Sequence, residues 1–172
     1  MCLFLQNPND PNATVKLTVP ELRPHIEFAY KQKLKRVTFD HRYRAEARFF
    51  HKTNLLRTQL DDGFGFGNFR FRYKLQVTIP LYKVANNRYL KLILSNEIHL
   101  NAGKNIKTNV FDQNRLGALL GYRFNKNVRI EAGYISQILQ FGRKINGQNV
   151  FQNNSGLIVN ANFNFDLTKK PK

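Results

Sequence analysis

Between residues 69 and 81 every odd position is apolar (Phe69, Phe71, Tyr73, Leu75, Val77, Ile79, Leu81), while Arg70, Arg72, Lys74, Gln76 and Thr78 occupy even ones. A period of two sends alternate side chains to opposite faces, which is strand geometry. The alternation recurs at 89–100, where Leu90, Leu92, Leu94, Ile98 and Leu100 oppose Lys91, Ser95, Glu97 and His99. It returns at 113–124, with Leu116, Ala118, Leu120, Tyr122 and Phe124 against Gln113, Arg115, Gly117, Gly121 and Arg123. At 157–167, Leu157, Val159, Ala161, Phe163, Phe165 and Leu167 oppose Asn160, Asn162, Asn164 and Asp166. Segments 26–34 and 37–50 follow the same template with more noise. Segment 128–141 starts in phase, with Val128, Ile130, Ala132 and Tyr134 opposing Arg129 and Glu131, then loses phase near Ile135 as a β-bulge would cause. No segment carries a convincing helical stripe. Seven clear strands are therefore expected, preceded by a partial strand at residues 1–6.

The connections order these strands. KR at 35 and 36, the segment 51–68, YKVANNR, NAGKNIKTNVFD, NKN at 125–127 and GRKINGQNVFQNN alternate short and long along the chain. That alternation predicts an antiparallel up-and-down sheet with tight turns at one end and extended loops at the other. The expectation is one domain over residues 1–172, an all-β meander barrel in which residues 1–20 form a partial strand and long loop and 168–172 a basic tail. Gly63, Gly65 and Gly67 read as a flexible loop tip before a strand starting near Asn68. Their setting, DGFGFGNF, resembles the core of an RNA-recognition motif. That motif wants a basic residue before GFGF and an aliphatic one after it, whereas Asp62 and Gly67 stand there, and the two helices it requires have no segment to form them.

Composition adds a charge to explain. Lys and Arg number 28 against 11 Asp and Glu, a formal net charge of +17 over 172 residues. Such a balance fits nucleic acid, anionic lipid or another acidic partner. A soluble basic β-protein that binds nucleic acid or another anionic ligand is thus the alternative to a membrane barrel, although no nucleic-acid partner is expected from the motifs. The lone cysteine, Cys2, excludes an internal disulfide. No run of about 18 to 20 apolar residues exists to make a transmembrane helix. The opening MCLFLQNPND lacks the basic and apolar regions of an export signal.

Alternation does not say which face looks inward, so a soluble barrel of lipocalin type competes with a membrane barrel. Three features favour apolar-out. The strands match the roughly 9 to 11 residues needed to cross a bilayer at a tilt, with a margin. Phe39, Phe49, Phe69, Tyr122, Phe124, Phe163 and Phe165 crowd the ends of the apolar faces, where interfacial girdles would sit. The polar faces mix Arg with Glu, Asn, Gln and Gly, which suits a packed lumen of paired charges.

The inward positions then define the candidate site. They are Arg42, Arg44, Glu46, Arg48, Arg70, Arg72, Glu97, His99, Arg115, Arg123, Arg129 and Glu131, with Asp40, Lys74 and Lys91 on the same faces. Two readings stand open: a salt-bridged interior that braces the barrel, or an unpaired cationic excess that favours small anionic solutes. No catalytic constellation is expected. His41, Asn96 and Ser136 point outward on strands that are not neighbours, which places them beyond hydrogen-bond reach of one another. Glu97 and His99 are two apart on one inward face, and two ligands without a third do not make a metal site. No cofactor is expected.

The run FDQNRLGALLGYRFNKNVRIEAGYISQ at 111–137 resembles the hallmark segment of a family of outer-membrane β-barrels of Gram-negative, mostly bacteroidete-type bacteria, a domain of unknown function. ELRPHIEFAYKQKLKRVTFDHRYRAEARF, FRFRYKLQVTIPL and YLKLILSNEIHLN are similar to that family's earlier strands in the same order, and VNANFNFDL to its closing strand. The set FDQNR, GY-x-F and E-x-GY carries the resemblance together. It implies an exported outer-membrane barrel in contact with lipid, and no reaction. Family members begin with a signal peptide and further strands. The expectation is therefore of a chain without its natural N-terminus, the intact barrel having roughly eight to ten strands or slightly more. The tail TKKPK also departs from the family's habit of ending close to the last aromatic residue.

Overall fold

A computed structural model describes residues 3–6, 17–56, 58–85 and 88–165, with the side chains of 3–6 and of Arg143 left aside. The strands are β1 (Leu3–Gln6), β2 (Val19–Leu22), β3 (His25–Leu34), β4 (Val37–Thr53), β5 (Leu60–Ala85), β6 (Arg88–Ala102), β7 (Phe111–Arg123), β8 (Val128–Ile145) and β9 (Gln148–Phe163). All pairings are antiparallel, in the order β1-β2-β4-β5-β6-β7-β8-β9, with β3 also on β4. The all-β, up-and-down expectation is met, and the sheet is not closed by hydrogen bonds.

β2 and β3 lie end to end along β4, interrupted at Arg23 and Pro24, with β1 paired outside β2. β2 pairs with Phe49 and Phe50, and β3 with residues 37–46 of β4. Proline has no N–H to offer a ladder, yet its carbonyl still accepts from the Ala47 amide at 3.0 Å, keeping the two pieces aligned. β2 falls in a segment that reads as loop, since a four-residue strand has no period to detect.

The loop ends differ most from expectation. Gly63, Gly65 and Gly67 lie within β5, which begins at Leu60 and pairs with β4 through Phe64↔His51 and Phe66↔Phe49. The expected loop tip is instead a two-stranded ribbon, and its true connection is residues 54–59. Likewise the segment GRKINGQNVFQNN is a hairpin, with Asn146 and Gly147 both at positive φ (49° and 76°), the geometry of a tight two-residue turn. Among the described residues, only 103–110 remains an extended loop. No bulge occurs at Ile135: β8 runs in unbroken register against β7, and its irregularity against β9 comes between Gln140 and Lys144. Ile135 and Leu139 broke the alternation because they are apolar side chains on the polar face. Residues 1–2, 7–16 and 166–172, including Asp166, Leu167 and the basic tail, lie outside the described residues.

The partition of side chains is inverted relative to a water-soluble domain. Buried side chains are charged or amide, including Glu46 and His99 at 2% exposure, whereas Ile93 is the buried hydrophobic among the described residues. Ile26, Phe28, Phe71, Leu116, Leu120, Leu157 and Val159 are exposed, Leu157 at 86%. The sheet therefore curls around its polar face. Side chains on that face reach one another across an intervening strand, Arg42 to Glu97 over β5 and Lys91 to Glu131 over β7.

Candidate functional site: the charged inner face

Directly paired residues in an antiparallel sheet point to the same side, so the register stacks the inner residues in rows. One row is Arg42, Lys74, Glu97, Arg115 and Gln137; the next is Glu27, Arg44, Arg72, His99 and Gln113. Glu97 is the hub. It accepts from Arg42 Nη2 at 2.8 Å and Arg72 Nη2 at 2.7 Å, while His99 Nε2 lies 3.5 Å from its other oxygen. Arg72 reaches back through Nη1 to Glu46 at 2.9 Å, and Arg44 binds Glu27 and lies 3.7 Å from Glu46. Arg48 pairs with Glu21, which also takes Arg23 at 2.6 Å.

The hydrogen-bond partners fix the histidine's tautomer. Gln137 Nε2 donates to Gln113 Oε1, which turns the Gln113 amide nitrogen toward His99 Nδ1 at 2.7 Å. Nδ1 must then accept, so the proton sits on Nε2 and faces Glu97. Both ring nitrogens are committed to protein partners. Among the described residues no three His, Cys, Asp or Glu side chains group as a metal site.

A β-bulge supplies the network's most unexpected member. His99 pairs with Gln113 but Leu100 pairs with Phe111, so Asp112 is the extra residue. The bulge lets Asp112 and Gln113, neighbours in sequence, both serve the inner network. Asp112 takes Arg70 Nη2 at 3.0 Å and Asn101 Nδ2 at 2.9 Å. Asn101 also holds the 103–110 loop through the Asn109 carbonyl, and Asn105, Thr108 and Gln140 pin that loop to the Gly67 and Gly142 carbonyls and to Gln140's own strand.

Toward the other end, Lys91 bonds Glu131 at 2.8 Å across the intervening β7, and Arg129 lies 3.1 Å from the same carboxylate. Gly121 makes this possible: it stands between the two in the row, and a Cβ there would come within 2.7 Å of Lys91 Cε.

By register all twelve expected lumen residues lie on the inner face, but they do not all share its pairing. Arg123, at the turn end of β7, donates to the carbonyls of Asn125 and Lys126 in the β7–β8 turn instead of to a carboxylate. Arg115 has no carboxylate within salt-bridge reach among the described residues, and its buried Nε has no hydrogen-bond partner. Glu21, Arg23, Glu27 and Asp112 belong to the network without having been expected; the first two lie in a segment without period, and a bulge leaves no mark in sequence. On the outer face His41 bonds Tyr73 at 2.9 Å and Asn96 bonds Asn114 at 3.2 Å, so neither is aimed at Ser136.

These features define a class: an antiparallel meander sheet with an apolar exterior and an ion-paired interior. The chain belongs to the family described as protein of unknown function (DUF2490), whose pattern it matches over residues 6–149. No curated protein and no solved structure matches it.

Proposed function

We propose that the chain forms the wall of a bacterial outer-membrane β-barrel, with its apolar face toward hydrocarbon and its charged face toward a lumen. The lumen braces the barrel or passes small anionic solutes. The observation that carries this reading is the inverted partition: buried Glu46, Glu97 and His99 against exposed Phe28, Leu120 and Leu157. In water such a continuous exposed apolar surface is unfavourable and would have to be covered.

The slant of the apolar belt supports the same reading. Through the register, Phe39, Val77, Leu94, Ala118, Tyr134 and Leu157 form one row. From that row the belt on β4 extends toward the loop end (Tyr43, Ala45, Ala47, Phe49), while on β9 it extends toward the turn end (Val159, Ala161, Phe163). A level belt on tilted strands must step along the rows in this way. In hydrocarbon both sheet edges must be paired, so the reading requires β9 to be joined to the edge that β1 and β3 form, directly or through further strands.

The test is fractionation of cells expressing the intact gene. Recovery in outer membranes, resistance to alkaline extraction and heat-modifiable gel mobility are expected; recovery in the cytosol would overturn the reading. The +17 charge favours one rival, a soluble nucleic-acid binder. That rival predicts aqueous solubility and salt-sensitive oligonucleotide affinity.

A further inference from the structure

A cavity of about 300 Å³ lies beside the first sheet edge, lined by the inner-face residues Lys31, Asp40, Arg42, Lys74 and Gln76 together with Ala29 and the outer-face pair Tyr30 and His41. Its volume is at the small end of ligand sites. Its charge is unbalanced. Asp40 is taken by Lys31 at 3.3 Å, and Arg42 shares Glu97 with Arg72 and His99 and lies 4.0 Å from Glu27, which Arg44 holds. Lys74 stands between Arg42 and Glu97 in one row, and Asp40 and Gln76 pair in the next, yet both carboxylates are held by other cations. Among the described residues Lys74 has no salt-bridge partner, and the Gln76 amide has no hydrogen-bond partner. A half-buried ammonium beside two guanidinium groups is costly unless an anion compensates it.

We propose that this cavity binds a small oxyanion, of the size of phosphate or a short-chain carboxylate, with Lys74 as the charge that anchors it. Arg42 and the Gln76 amide supply directional donors, and Lys31 lines the same cavity. Glu97 keeps Arg42 in place without entering the cavity. The proposal deepens the lumen reading by assigning a ligand class and a position, and it rests on that reading for the ligand's passage but not for its binding.

The experiment titrates inorganic phosphate into the full chain refolded in detergent micelles, followed by phosphorus NMR. Saturable binding is expected. Lys74→Gln should weaken it about tenfold or more, as the loss of one charge-assisted contact would. Gln76→Glu, which gives Lys74 an internal carboxylate, should abolish binding while the fold is kept, and Lys126→Gln in the β7–β8 turn should leave it unchanged. Absence of saturable binding, or equal binding by Lys74→Gln, overturns the site. Because binding is measured without reference to cellular location, Lys74-dependent binding by a chain recovered from the cytosol would uphold the site while removing the membrane reading.

Discussion

Glu97 is the residue on which the inner network turns, because three cationic or polar side chains from different strands converge on its two oxygens. Glu97→Ala leaves Arg42 and Arg72 facing each other with no carboxylate between them. A loss of about 3–5 kcal/mol is expected, the cost of breaking a buried pair from one side, measurable by urea unfolding in lipid vesicles. Gly133, the glycine of the E-x-GY motif, acts through space rather than charge. A Cβ there would collide with the Ala118 and Leu119 backbone of β7, and backbone cannot swing aside as a side chain can. Gly133→Ala should cost about 1–3 kcal/mol in the same assay, with β7 and β8 forced apart. The inward arginines were legible from alternation alone. Their partners were not, since Arg42 and Glu97 lie 55 residues apart.

Strands are recognised by period, and elements were misread where period and composition disagree. Residues 63–67 alternate glycine with phenylalanine, and glycine weakens a strand taken alone. Here β4 supplies the missing order: Phe49 packs on Phe66 at 5.5 Å and His51 on Phe64 at 4.7 Å, while the Phe50 ring covers Gly67. Aromatic rings beyond those the sequence singled out also pack together, Phe28 on Tyr43 and Tyr43 on Tyr73. The bulge at Asp112 joins strand to loop. Asp112→Ala removes the acceptor that orients Asn101, which in turn holds the 103–110 loop. Trypsin cleavage at Lys104 or Lys107 should accelerate several-fold, because local opening governs proteolysis. An unchanged cleavage rate would mean that Asn105 and Thr108 hold the loop alone.

At the scale of the molecule, the sign of the environment outside the sheet is the decisive quantity. Leu120 is 53% exposed near the middle of the belt. If hydrocarbon surrounds it, Leu120→Arg costs about 2–4 kcal/mol near the midplane; if water does, the change stays within about 0.5 kcal/mol. Unfolding of the two proteins in lipid vesicles reads the difference, and a negligible change would count against the membrane reading. The same logic applies to the net charge. Most inner cations are compensated by pairing, so they contribute little to attraction of an external polyanion.

The sequence by itself determined that the chain is β throughout, which side chains share a face, and that one face is apolar and the other cationic. These are local properties, set by the two-residue period of an extended backbone. Only the tertiary structure decided which face is enclosed, because alternation is symmetric between inside and outside and curl is not. It also decided the pairings around Glu97, the bulge at Asp112 and the cavity beside Lys74, each of which depends on register between strands far apart in the chain.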